Sequence, residues 1–326
     1  MSVSSPFPVT VKNKSERNAR DILLGSLAVP GRRLRQWSQL FPTNILHRLF
    51  TALGAHREIA RLSQFPVLAE AARVHPRLLI KYVARHYLAL GLPVPARIAC
   101  FVHHYRRLCS VLPIWLLRRT LLEEVPLFET SENGAQFAIT MCLSKSVEYE
   151  TEGELSLNLL VEDKIVYIVG FSIVPGWVVK SSASEAILIS RMQGVKGYHR
   201  EIAQATKSLH DVSPVVLLLA ALQGIASVFD IGVMASVSAA VQVCYDERYA
   251  ASFRQGYDDF FGERGIPLNK EGFFLTPIPL PEKPLANIKR GHKIRTREKR
   301  AFRQEVQKAC TDFFVRNGFP APSAEA

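Results

Sequence analysis

A mixed α/β fold, with a basic helical N-terminal region preceding a mixed sheet flanked by helices, is what this 326-residue sequence predicts. Three observations carry that expectation. Hydrophobic residues make up 48% of the chain, enough to build a core and to exclude disorder over most of its length. From Leu34 to about Leu122 apolar residues recur at helical spacing. After Pro126 the period changes to strand alternation interleaved with helical stretches, the pattern of a sheet covered by helices.

In the first half, Leu34, Trp37, Leu40 and Phe41, and then Ile45, Leu46, Leu49, Phe50 and Leu53, fall on single helical faces. Breaks at Pro30-Gly31, Pro42, Gly54, Pro66, Pro76, Gly91-Leu92-Pro93 and Pro113 cut this region into short helices. In the second half, strands are expected at Gln136 to Leu143, Glu154 to Val161, Ile165 to Ile173 and Glu185 to Ser190. The turn Glu162-Asp163-Lys164 makes a hairpin of the second and third. Helices from about Tyr198 to Leu209 and from Pro214 to Phe229, a strand Val233 to Ser238, a helix from about Ala240 to Arg264 and a strand near Phe273 to Ile278 complete the order. The expected organisation is a loose tail, 1–20, a basic helical region, 21–126, an α/β domain, 127–288, and a basic C-terminal segment, 289–326.

The net charge of +12 is unevenly placed. Residues 1–126 hold 19 Lys or Arg against 6 Asp or Glu, residues 127–288 hold 12 against 19, and residues 289–326 hold 10 against 4. Basic flanks around an acidic middle suggest contact with anionic surfaces at the ends and a different task at the centre. His103-His104 with Arg106-Arg107, and Arg118-Arg119 after an apolar run, fit either an amphipathic helix on anionic lipid or one packed on its own domain. An anionic membrane surface or an envelope protein is the expected partner. Nucleic acid ranks below it, because no helix-turn-helix, zinc or ribonucleoprotein-like motif accompanies the charge.

Lys12, Lys14, Arg17 and Arg20 before the apolar run Ile22 to Val29 mimic a signal peptide, yet Arg32-Arg33 stand where a cleavage site should be. A cytoplasmic chain starting near residue 1, peripheral to the inner membrane, is therefore expected. Val215 to Val243 carries one charged residue, Asp230, but its uninterrupted apolar part ends at Phe229 and reads as a buried helix followed by a strand. Five cysteines without a CxxC pair fit a reducing compartment, and no metal site is expected.

The chemistry centres on Ile187 to Gly197, where an apolar strand runs into Arg191-Met192-Gln193-Gly194-Val195-Lys196-Gly197 and then a helix. Glycines that expose backbone amides, followed by a helix N-terminus, form phosphate-binding turns, although the same order builds ordinary crossovers. With the strands before it and the strand–helix–strand after it, this segment resembles the acyl-CoA N-acyltransferase fold of the GCN-five-related type over about residues 130–280. That resemblance implies a pyrophosphate loop of Arg191, Gln193, Gly194, Lys196 and Gly197, with Lys196 where the pattern has Gly or Ala. Phe260-Phe261-Gly262-Glu263-Arg264-Gly265-Ile266 echoes the helix that carries a general-acid tyrosine, and since Phe261 takes the tyrosine's place, Tyr257 is the substitute four residues earlier. Glu154, with its neighbour Glu152, and Glu185 are the candidate general bases. His199 and His210 flank the next helix, and with Lys207 they are further candidates for touching a phosphate.

Glu152-Gly153-Glu154-Leu155-Ser156-Leu157, Ile189-Ser190-Arg191-Met192-Gln193-Gly194, Ala205-Thr206-Lys207-Ser208-Leu209-His210 and Tyr257-Asp258-Asp259-Phe260-Phe261 together resemble the VirK/YbjX family of Gram-negative bacteria, a domain of unknown function. The resemblance implies a role in envelope behaviour and virulence, such as surface-protein localisation or tolerance of cationic antimicrobial peptides. The functional expectation is an N- or O-acyltransferase using acyl-CoA on an envelope component, or a non-enzymatic, chaperone-like factor that binds lipid or protein through its basic flanks.

Overall fold

Proline placement sets the helical half. The computed structural model describes residues 53–144 and 151–319. Helices α1 (Leu53–Ser63) and α2 (Pro66–Val74) lead through a 3-10 turn, Leu78–Val83, to α3 (Val94–Val111) and α4 (Ile114–Leu122). Pro66 and Pro95 sit in first turns, where no amide donor is needed, and Pro93 and Pro113 are N-caps. The expected tail and the apolar stretch from Leu34 to Phe50 lie outside the described residues.

One seven-stranded sheet follows, with its strands in sequence order: β1 (Glu124–Glu132), β2 (Ala135–Leu143), β3 (Leu155–Val161), β4 (Lys164–Pro175), β5 (Glu185–Gly194), β6 (Val233–Val237) and β7 (Phe273–Pro277). Every neighbouring pair is antiparallel except β5 and β6. A parallel pair needs a crossover, supplied here by α5 (His199–Ser208) and α6 (Pro214–Val228). Between β6 and β7, residues 250–262 form α7, whose middle, Arg254–Asp259, is wound as a π-helix. The chain ends in the 24-residue α8 (Lys293–Arg316).

Three expectations shift. Strand β1 begins before the expected boundary at residue 126, and Pro126 is accommodated because β1 is an edge strand with an irregular register between Pro126 and Phe128. The helix expected from Ala240 starts at Ala250, after 3-10 turns at Ala239–Val241 and Glu247–Tyr249. Arg191 to Gly194, expected as loop, continues β5, because these residues pair with Tyr167 to Gly170 of β4. The hairpin turn stands where expected, with Glu162 and Asp163 at φ of 49° and 63°, the left-handed pair that tight hairpins use.

Strand β3 is buried at six of its seven positions, so neither of its faces is open. Helices α3 and α4 pack on β4 and on β1 and β2, while α6 packs on β3, β4 and β5 and is itself covered by α8. That double cover explains why α6 is apolar almost all round. No helix among the described residues is long and apolar enough to cross a membrane. The basic C-terminal segment is part of this packing, since α8 buries Phe302, Val306, Cys310 and Phe314. Every described residue falls in one compact unit, Leu46–Ala326.

Candidate functional site

Strands β5 and β6 pair from Ile187, opposite Met234, to Ile189, opposite Ser236; then β6 ends at Val237 while β5 runs on to Gly194. At the point of parting β5 bulges: Gly170 faces Arg191 and Phe171 faces Ile189, which leaves Ser190 without a ladder partner. Bulges of this kind re-aim side chains and occur next to active sites. Beyond it, the Met192 N–H donates to the phenolic oxygen of Tyr257 at 3.0 Å. Tyr257 reaches there from the π-wound part of α7, a winding often found at functional sites.

Two glycines bring a carboxylate to the same place. Gly153 has a φ of +131°, and a Cβ on it would lie 2.5 Å from the Phe171 amide nitrogen. A Cβ on Gly170 would run into the Glu152 carbonyl oxygen. The segment before β3 can therefore lie flat on β4, with Glu152 fully buried. The Gln242 side-chain amide donates to Glu152 Oε1, and Arg191 Nε stands 3.8 Å from Oε2. Burial raises the Glu152 carboxyl above its ordinary value, against the opposing pull of Arg191 and of hydrogen bonds from Gln242 and Cys244. The hydroxyl of Ser190 is buried beside this group without a hydrogen bond.

Glu154 turns the other way, into the helical half. Its carboxylate accepts from the phenols of Tyr87 at 2.6 Å and Tyr105 at 2.5 Å, and Lys81 Nζ lies 3.3 Å away. Burial raises both phenols well above the usual tyrosine range, and the Glu154 charge adds to the effect. The segment after the 3-10 turn straps the two groups together: Leu88 N–H donates to Thr151 O at 2.8 Å and Leu90 N–H to Val241 O at 2.7 Å.

The remaining predicted residues are dispersed. Glu185 sits at the opposite end of β5 from Gly194, where His103 Nε2 is 2.9 Å and Arg107 Nε 3.1 Å from its carboxylate. Burial opposes its charge, but His103 and Arg107 prevail and hold the carboxyl below its ordinary value. Arg191 is buried at the bulge facing Glu152 and does not lie in the turn before α5. Gln193 pairs with Ile168 in the ladder, and a Cβ on Gly194 would meet Ile202 Cδ1 at 2.7 Å, so Gly194 lets α5 close on the strand. Lys196 and Gly197, the latter at a φ of +95°, form an exposed turn, with His199 at the first position of α5. Lys207 is exposed, and the His210 ring packs at a tilt against Phe302, 4.7 Å between centroids.

His104 belongs to the core: its Nδ1 accepts from Ile173 N–H at 3.0 Å, and burial lowers its pKa to about 3. Phe261 is also core, stacked on Phe274 at 5.2 Å. Sequence reasoning did not reach Gln242, Ser190, Lys81, Tyr87 or Tyr105. A tyrosine at 105 on a helical apolar face and one at 87 in the irregular segment before that helix carry no visible sign of a shared carboxylate. Among the described residues no three His, Cys, Asp or Glu side chains gather as a metal site would need.

Comparison with curated proteins returned no match. Comparison with solved structures returned none either. A family model described as "Protein of unknown function (DUF535)" matches residues 39–311, which include the bulged strand, both buried carboxylates, the strap and the π-wound helix. The chain belongs to the DUF535 family of proteins of unknown function.

Proposed function

We propose that this protein transfers an acyl group from a thioester, CoA or a carrier, to an amine or hydroxyl of an envelope component. The observation that carries the reading is the parting of β5 and β6 at a bulge beside a buried polar group of Glu152, Arg191, Gln242 and Tyr257. Antiparallel strands, a bulged strand, a crossover, a parallel strand, a helix and a last strand follow the order of the GCN-five-related fold, in which the parted strands admit the donor. That agreement supports the reading.

The roles follow from the environments. Glu152, whose carboxyl binds a proton more readily than usual, accepts the proton of the attacking amine or hydroxyl as the new C–N or C–O bond forms and the C–S bond breaks. Tyr257, whose phenol burial keeps protonated, donates a hydrogen bond to the departing sulfur, which leaves as a thiol with the proton that Glu152 accepted. Glu154 is occupied by Tyr87, Tyr105 and Lys81 and holds the strand. Arg191 positions Glu152, and the turn at Lys196 and Gly197, with His199 and the first amides of α5, takes the pyrophosphate. Such an enzyme would work at the cytoplasmic face of the inner membrane, in keeping with the envelope and virulence role that the VirK-like resemblance implies.

Calorimetric titration with acetyl-CoA and longer acyl-CoAs tests this. Micromolar binding is expected, weakened about tenfold by Lys196→Glu through loss of a charge-assisted phosphate contact. Glu152→Gln is expected to bind the thioester and release no thiol. Absence of binding to any thioester ends the reading.

One observation favours a non-enzymatic, chaperone-like binding factor instead. Glu152, Gln242 and Tyr257 are each at most 1% exposed, so they fill the gap between the strands themselves. In that reading the basic flanks dock to anionic lipid or an envelope protein, and no thioester binds.

A further inference from the structure

Helix α8 is longer than its packing requires. Its first fully buried residue is Phe302, so residues 293–301, exposed or half-buried, form an overhang of about 13 Å beyond the buried part of the helix at 1.5 Å per residue. Residues 282–303 carry nine Lys or Arg against Glu282 and Glu298. Part of that charge is used internally: Arg300 and Arg303 pair with Glu282, and Arg295 pairs with Asp211, which ties the overhang to the body. The side chains of Lys289, Arg290, Lys293, Arg297 and Lys299 make no ion pair or hydrogen bond among the described residues. Cations at the start of a helix also oppose its macrodipole, so this placement costs stability in isolation and is offset when an anionic surface faces it. Among them Ile294 is 71% exposed.

From this geometry we infer that the overhang of α8, with the turn Arg290–His292 before it, is a docking surface for anionic phospholipid. Five unpaired cations supply the charge complement, and Ile294 supplies an aliphatic side chain for the headgroup boundary. Lipid is favoured over nucleic acid because this segment presents an exposed isoleucine at its centre and no exposed Phe, Tyr or Trp ring on which a base could stack. The surface is independent of acyl transfer, and vesicle binding and thioester binding can fail separately.

Cosedimentation of the full chain with vesicles of phosphatidylcholine alone, and with about 30% phosphatidylglycerol, tests it. The protein is expected to bind the anionic vesicles and to leave them as salt rises from about 0.1 to about 0.5 M. Each neutralised cation is worth about fivefold in affinity, so Lys289→Gln, Arg290→Gln and Arg297→Gln together should weaken binding about a hundredfold. These side chains are exposed and make no ion pair or hydrogen bond among the described residues, so the triple variant should keep the native circular dichroism. Ile294→Ser should weaken vesicle binding with the charge unchanged. The inference is overturned if the native protein ignores phosphatidylglycerol or if the triple variant binds as tightly as the native chain. It is equally overturned if duplex nucleic acid strips the protein from vesicles while Ile294→Ser leaves vesicle binding intact.

Discussion

Glu152 and Glu154 are two residues apart, and Gly153 between them turns one toward Gln242 and Arg191 and the other toward Tyr87, Tyr105 and Lys81. Nothing in Glu-Gly-Glu says which carboxylate meets a cation at 3.3 Å and which at 3.8 Å. Those partners arrive from residues 81 to 105 in one case and 191 to 242 in the other. Their placement shows in the response to pH. An unfolded histidine binds a proton below about pH 6.5, whereas His104 in the fold does so near pH 3. Between those values the unfolded state binds more protons, so stability falls as pH drops through this window. Glu185, held low by His103 and Arg107, acts in the same sense at acid pH, since its contribution is lost on protonation. Glu152 acts in the opposite sense: its raised carboxyl stabilises the fold below the ordinary carboxylate range, and the contribution is lost as pH rises through the folded value. Urea midpoints are expected to fall from pH 6.5 toward pH 4, and to fall less steeply in His104→Gln. An unchanged slope in that variant would remove His104 as the cause.

At the scale of elements, the stretch Arg191 to Gly194 behaves differently from its local composition. Arg, Gln and Gly interrupt an apolar run and read as loop, yet Arg191 to Gly194 stay in register with β4, and the outward Met192 amide finds a tyrosine. Helix length and type were legible in α5, α6 and the strands of the sheet, where periodicity is strong. Strand β1 was not, since Pro126 and the acids Glu124, Glu129 and Glu132 disguise an edge strand. The crossing of α6 and α8 depends on Gly224: a Cβ there would strike the Gln307 carbonyl oxygen and lie 3.0 Å from Cys310 Cβ. Alanine gains about 1 kcal/mol of helix propensity at such a site, but wedging a methyl group against a neighbouring backbone costs about 1–3 kcal/mol. Because the obstacle is main chain, overpacking should win. Gly224→Ala is expected to lose about 1–2 kcal/mol in urea unfolding, and a gain in stability would show that α8 can slide away freely.

For the whole molecule, the expected division into a helical region and an α/β domain meets a structure in which the strap at Leu88 and Leu90, and the Tyr87–Glu154–Tyr105 group, cross that division with buried hydrogen bonds. A fragment of residues 127–288 would leave Glu154 buried without its donors and strip α8 from α6. It is expected not to fold, with poor dispersion in an amide NMR spectrum, whereas the full chain unfolds in one transition by circular dichroism. A well-dispersed spectrum from the fragment would support the two-domain description. Periodicity, proline placement and charge by themselves determined the class of fold, the hairpin, the buried apolar helix and the basic ends, because each is a property of neighbours in the chain. The meeting of Glu152 with Gln242, of Glu154 with Lys81, and of Tyr257 with the Met192 amide was settled by folding. These contacts join residues 65 to 90 positions apart, and no local pattern records which buried polar groups must satisfy one another.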